Sequence, residues 1–148
     1  MLNKFVGLGL AAVIAAAMAG CSSASTSSGS ASADAPNCPV SAIPITASVN
    51  QWGNIVEQLA GQCGTVATLV TASSGDPHDY EPTTGDIAQF SKAKMVVVNG
   101  DGYDDWATKA VSASNNQAPV VNAATVNNVP SGANPHLWYN PTYVTAMA

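Results

Sequence analysis

The chain has 148 residues, room for one modest domain, and only 9% of them are charged. Nine carboxylates against four lysines give a net charge of −5. Those lysines, Lys4, Lys92, Lys94 and Lys109, form no basic stripe that could displace counterions from phosphate, which excludes nucleic-acid binding; the acidic balance suits a cationic ligand.

In chain order, Lys4 supplies a small positive region and Phe5 to Ala19 is apolar and Ala-rich. At about fifteen residues this run is short for a bilayer span, which takes roughly 20. It ends in Met18-Ala19-Gly20-Cys21, small residues before a cysteine, similar to the lipobox of bacterial lipoproteins. Residues 1–21 are therefore expected to be a lipoprotein signal peptide, with Cys21 lipidated as the first mature residue. The alternative is an ordinary signal peptide cut nearby, with Cys21 incidental. Ser22 to Ala35, SSASTSSGSASADA, has no apolar surface to bury, so residues 22–36 read as a flexible tether. Residues 37–148 would then be a domain held outside the cytoplasm on a lipid anchor, in the periplasm or on the outer face of the membrane.

Cys38 and Cys63 remain in that domain. Outside the cytosol thiols tend to be oxidised, and a bridge closing a loop of about 25 residues could stabilise the fold by roughly 3 kcal/mol. The competing reading is a pair of thiolate metal ligands, which neither an oxidising compartment nor the absence of CxxC spacing favours.

Ile43 to Val49 reads as a strand with Pro44 near its start. Asn50 is a possible cap for a helix carrying Trp52, Ile55, Val56 and Leu59 at helical spacing, with Gly61 as its stop. Thr65 to Val70 is a second strand, followed by the loop GDPHDYEPT and a helix that Thr84 can cap. Met95-Val96-Val97-Val98-Asn99 is the continuous apolar run of a strand buried on both faces of a parallel sheet. After the turn Gly100-Asp101-Gly102, residues from Tyr103 to Ala113 can be helical. Ala118 to Asn122 is a fourth strand, a loop runs on to His136, and Asn140 can cap a last helix beginning at Pro141. This alternation predicts an α/β fold, a four-stranded, mostly parallel sheet flanked by helices.

Ligands of such sheets bind outside the carboxyl ends of the strands. Both histidines follow strands, so both are expected at that edge. His78 lies in Asp76-Pro77-His78-Asp79-Tyr80-Glu81-Pro82, and His136 in Asn134-Pro135-His136-Leu137-Trp138-Tyr139-Asn140-Pro141. Prolines on each side stiffen the loops and lower the entropy lost in positioning an imidazole, which suits zinc, manganese or iron. Asp76, Asp79 and Glu81 could fix the tautomer of His78 or could be charges favoured near a helix N-terminus, the second fitting Glu81 better. Purely structural histidines are the alternative. Enzymatic patterns are missing: the chain has no G-x-S-x-G, no P-loop, no G-x-G-x-x-G and no H-E-x-x-H, and it is read as a non-enzyme.

Three blocks, ASVNQWGNIVEQLAG, GDPHDYEPTTGDIAQFSKAKMVVVNGDGYDDWATKA and NPHLWYNP, resemble the metal-binding substrate-binding lipoproteins of bacterial ABC transporters (zinc, manganese and iron; solute-binding family 9, cluster A-I). The resemblance covers residues 39–148. It implies one lobe, the N-terminal one, of a two-lobed binding protein whose lobes are joined by a long helix, with a Zn2+ or Mn2+ cargo in the cleft. The family's two N-terminal histidine ligands fall on His78 and His136, and its frequent Asp before the second Pro-His is here Asn134. Its third and fourth ligands have no counterpart before Ala148, about half the family's usual length, so apolar surface is expected along one side of the lobe. The implied function is capture of a divalent transition metal for an ABC permease; the alternative is a surface adhesion or interaction lipoprotein with structural histidines.

Overall fold

The computed structural model describes residues 38–148. The expected signal peptide, lipidated Cys21 and tether lie outside the described residues. Strands β1 (Ile43–Val49), β2 (Gly64–Val70), β3 (Met95–Val98) and β4 (Val120–Asn122) form one sheet in the order β2-β1-β3-β4. Every neighbouring pair is parallel, in register at Ile45↔Val66, Ala47↔Val97 and Val97↔Val121 among others. The expectation of a mostly parallel sheet resolves to a wholly parallel one.

Helices α1 (Asn50–Ala60), α2 (Thr84–Lys92), α3 (Asp105–Ala113), α4 (Ala123–Val126) and α5 (Pro141–Met147) connect and cover it. The chain steps from β1 outward to β2, then back across to β3 and on to β4. Right-handed crossovers therefore place α1 on one face and α2 with α3 on the other. The pleat divides the central strands accordingly. Ile45, Met95 and Val97 face α1, whereas the Thr46 hydroxyl donates to the Gln89 carbonyl of α2 and the Ser48 hydroxyl donates to the Asp104 carboxylate at the start of α3. Trp52, Phe90 and the three valines of β3 are wholly buried, because the central strands are covered on both faces.

Local chemistry sets the helix boundaries, with three departures from expectation. The cap of α2 is Thr83, not Thr84. Its hydroxyl accepts the Asp86 N–H while the Asp86 carboxylate accepts the Thr83 N–H, a capping box that fixes the start one residue earlier. Asn50 is the first residue of α1 and caps nothing with its side chain. The stretch after β4, expected as loop, begins with the single turn α4, capped by the Asn122 side chain on the Thr125 N–H. Asn140 does cap α5, accepting from the Thr142 N–H. Cys38 and Cys63 are disulfide-bonded, with Cα atoms 5.1 Å apart, fastening the segment before β1 to the turn that leads into β2. An apolar groove of about 340 Å³ opens on the α1 face, lined by Ile45, Trp52, Val56, Met95, Val97 and Met147.

Candidate metal centre

The two Pro-His loops are built alike. Pro77–Asp79 is a 3₁₀ turn after β2, and the Asp76 carboxylate before it accepts the His78 backbone N–H at 2.9 Å. The same oxygen, Oδ1, lies 2.8 Å from His78 Nδ1. In the second loop Asn134 Oδ1 accepts the His136 N–H at 3.0 Å and lies 2.7 Å from His136 Nδ1. An ionised carboxylate has no proton to give, and neither has an amide oxygen. In each neutral imidazole Nδ1 must therefore carry the proton and donate it, which leaves the lone pair on Nε2. This is the arrangement that fixes the tautomer and ring orientation of a histidine ligand.

Each loop is also held one residue earlier, at the proline carbonyl. The buried indole of Trp106, on α3, donates from Nε1 to the Pro77 carbonyl at 3.0 Å. The buried Asn99, at the end of β3, donates from Nδ2 to the Pro135 carbonyl at 2.8 Å. Asn99 is fixed in turn by the Trp52 indole N–H, which donates to its Oδ1 at 2.8 Å. The Asp104 carboxylate gathers the backbone N–H groups of Asn99 and Gly100, at 2.7 and 2.8 Å, together with the Ser48 hydroxyl. Burial pushes the Asp104 carboxyl above the ordinary carboxylate value, against these donors.

The histidines follow the outer strands β2 and β4, and their loops converge on Tyr103 from the turn after the inner strand β3. The Tyr103 ring lies 4.8 Å from the His78 ring and 5.8 Å from the His136 ring, both edge-to-face. Trp138 packs on Tyr103 at 5.0 Å and on His136 at 5.3 Å, while Tyr139 beside them is 80% exposed. Burial raises the Tyr103 phenol, and the nearby Asp76 charge adds to the shift. Asp76 itself is held below the ordinary carboxylate value, first by the His78 backbone N–H and then by its ring.

Of the residues expected to support the imidazoles, Asp76 and Asn134 bond them directly. Asp79 does not: it is the last residue of the 3₁₀ turn, and no hydrogen bond joins its carboxylate to either ring. Glu81 lies before the Thr83 cap, and the acid in the first turn of α2 is Asp86. Asn99, Tyr103 and Trp106 were missed by sequence reasoning. Their only signal is the NGDGYDDW turn at the end of the most apolar strand, where a parallel sheet places its ligands. Among the described residues no group of three or more His, Cys, Asp or Glu is gathered as a metal site. What this lobe presents is two imidazoles with their second nitrogens committed.

Comparison with known proteins finds metal-binding proteins similar to this chain. The manganese-binding lipoprotein MntA of Halalkalibacterium halodurans is 29% identical over 65% of this chain and 33% of its own length. The iron-binding protein YfeA of Yersinia pestis is 29% identical over 60% of this chain and 30% of its own. Among solved structures, the metal-dependent lipoprotein YcdH of Bacillus subtilis superposes with a TM-score of 0.62 at 28% identity, over 71% of this chain and 40% of that one. The chain thus spans less than half the length of these relatives and corresponds to one lobe of a two-lobed binding-protein fold. Their names speak of metal binding and do not favour the adhesion alternative. Residues 45–148 match the ZnuA family, described as zinc-uptake complex component A, periplasmic, and the chain belongs to that family.

Proposed function

We propose that this chain captures a divalent transition metal outside the cytoplasm, through Nε2 of His78 and Nε2 of His136, and passes it to an ABC permease. The observation that carries this reading is the pair of matched loops, in which one Asx oxygen takes both the backbone N–H and the Nδ1 proton of the following histidine. Core histidines have no need of two such copies at one sheet edge. The cargo is Zn2+ or Mn2+, with iron the third candidate; borderline ions of this class accept neutral imidazole. No bond is made or broken in the cargo, so the protein is a binding component and not an enzyme. Two imidazoles leave such an ion incompletely coordinated, since protein zinc sites use three or four ligands. Water or further polypeptide completes the shell, and the affinity of these two ligands alone is modest. Lipidation at Cys21 and the Ser/Ala tether would hold the lobe at the membrane, within reach of the permease.

The test is a competition titration of the full chain with Zn2+ and Mn2+ against a chromogenic chelator. His78→Ala and His136→Ala should each weaken binding about tenfold or more. Unchanged affinity in both variants overturns the ligand assignment. A stoichiometry of one metal per two chains would show four histidines of two copies sharing one ion.

A further inference from the structure

The turn between β3 and α3 touches both histidine loops. From one end of it Asn99 donates to the Pro135 carbonyl; from the other Trp106 donates to the Pro77 carbonyl. Between them the Asp101 carboxylate accepts the Gly132 N–H at 2.8 Å, pinning the approach to the His136 loop. The turn reaches this shape through left-handed backbone at Gly100, Asp101 and Gly102. At its centre the Tyr103 ring, 5% exposed, packs against both imidazoles, at 78° to the plane of His78 and 66° to that of His136. The Nδ1 hydrogen bond fixes which nitrogen faces away, but a planar ring can still pivot about it. An aromatic ring packed edge-to-face against each imidazole removes that pivot and fixes the closest approach of the pair.

We propose that Tyr103 is the positioning residue of the metal site: its ring sets the separation and tilt of His78 and His136, and residues 99–106 are one mount carrying both ligands. This rests on the reading of the two histidines as metal ligands. The role belongs to the shape of the ring, so phenylalanine preserves it and leucine does not. The two histidines also become energetically coupled, because one misplaced ring disturbs both.

The experiment compares Tyr103→Phe, Tyr103→Leu and a remote core substitution, Val111→Ala, in the full chain, titrated with Zn2+ alongside His78→Ala and His136→Ala. Tyr103→Phe should bind within about twofold of wild type and Tyr103→Leu about tenfold more weakly, the range found when a residue that orients a ligand is lost. Val111→Ala should lower the unfolding midpoint and leave affinity unchanged. The inference is overturned if Tyr103→Leu binds like wild type while the histidine variants do not, or if Val111→Ala weakens binding as much as Tyr103→Leu. Unchanged affinity in both histidine variants overturns the ligand reading instead. A metal-free measurement separates the two. Overhauser contacts from the side chain at 103 to both imidazoles are expected in wild type and Tyr103→Phe, and their absence from either histidine of the wild type overturns the placement of Tyr103 whatever the metal does.

Discussion

Replacing Asn99 by alanine tests the mount at its most buried point. Asn99 has no exposed surface, and its side chain makes three hydrogen bonds: it accepts from Trp52 Nε1 and donates to the carbonyls of Pro135 and Gly100. Alanine leaves the Trp52 indole N–H, in a wholly buried side chain, without its partner, and takes one of two donors from the Pro135 carbonyl, which keeps the Leu137 N–H at 2.8 Å. A buried polar group stripped of its partner costs about 1–3 kcal/mol, so one at the low end of that range, with a small cavity and the lost hydrogen bond to Pro135 added, amounts to about 2 kcal/mol. For a domain of this size that lowers the melting temperature by about 8 °C, at roughly 4 °C per kcal/mol. Urea unfolding followed by tryptophan fluorescence reads the change as a shift in midpoint at constant slope. The Pro135 carbonyl is the anchor of the His136 loop, so amide exchange at His136 should accelerate more than at His78. A loss below about 1 kcal/mol, or equal acceleration at the two histidines, would refute the assignment of Asn99 as the hub that holds this loop.

Three further outcomes follow from local geometry. Reducing the Cys38–Cys63 bridge, or replacing both residues by serine, frees a loop of 25 residues and should destabilise the domain by about 3 kcal/mol, read by urea unfolding with and without reductant. Thr83→Ala removes the acceptor for the Asp86 N–H in the capping box of α2 and should cost about 1 kcal/mol, with Thr83→Ser recovering most of it in thermal unfolding. Asp76 is depressed in the fold, so its contribution is present above the ordinary carboxylate value of 3.8 and fades as pH falls below it. Asp76→Asn should therefore flatten that part of the acid-unfolding curve, and it would make the first loop a chemical copy of the second.

Much of the candidate site can be read from local sequence because its chemistry is local. The Asx-Pro-His triplets contain the imidazole, the acceptor that orients it and the proline that stiffens the loop within three residues, and the hydrogen bonds span two positions. The fold class is legible for a similar reason: the apolar run of β3 demands cover on both faces, and alternation with helices forces parallel crossovers. Asp79 misled because sequence proximity to His78 does not say which carboxylate reaches the ring: Asp76, the cap before the turn, takes both the backbone N–H and the Nδ1 of His78.

The sequence by itself determined the strands, the two histidines, the expectation of a disulfide and the family resemblance, all of which depend on short-range patterns or on spacing along the chain. Only the tertiary structure decided how the two loops are joined. His78 and His136 are far apart in sequence and follow the outer strands β2 and β4, while the residues that bind their prolines come from the β3–α3 turn. That convergence follows from the strand order β2-β1-β3-β4, which reverses direction at β1 and opens a crevice at the carboxyl edge into which the β3–α3 turn projects. A hydrogen bond from Asn99 to the carbonyl of Pro135, or a tyrosine ring packed against two imidazoles, has no periodicity and no motif; it exists because long-range strand pairing brings its partners together.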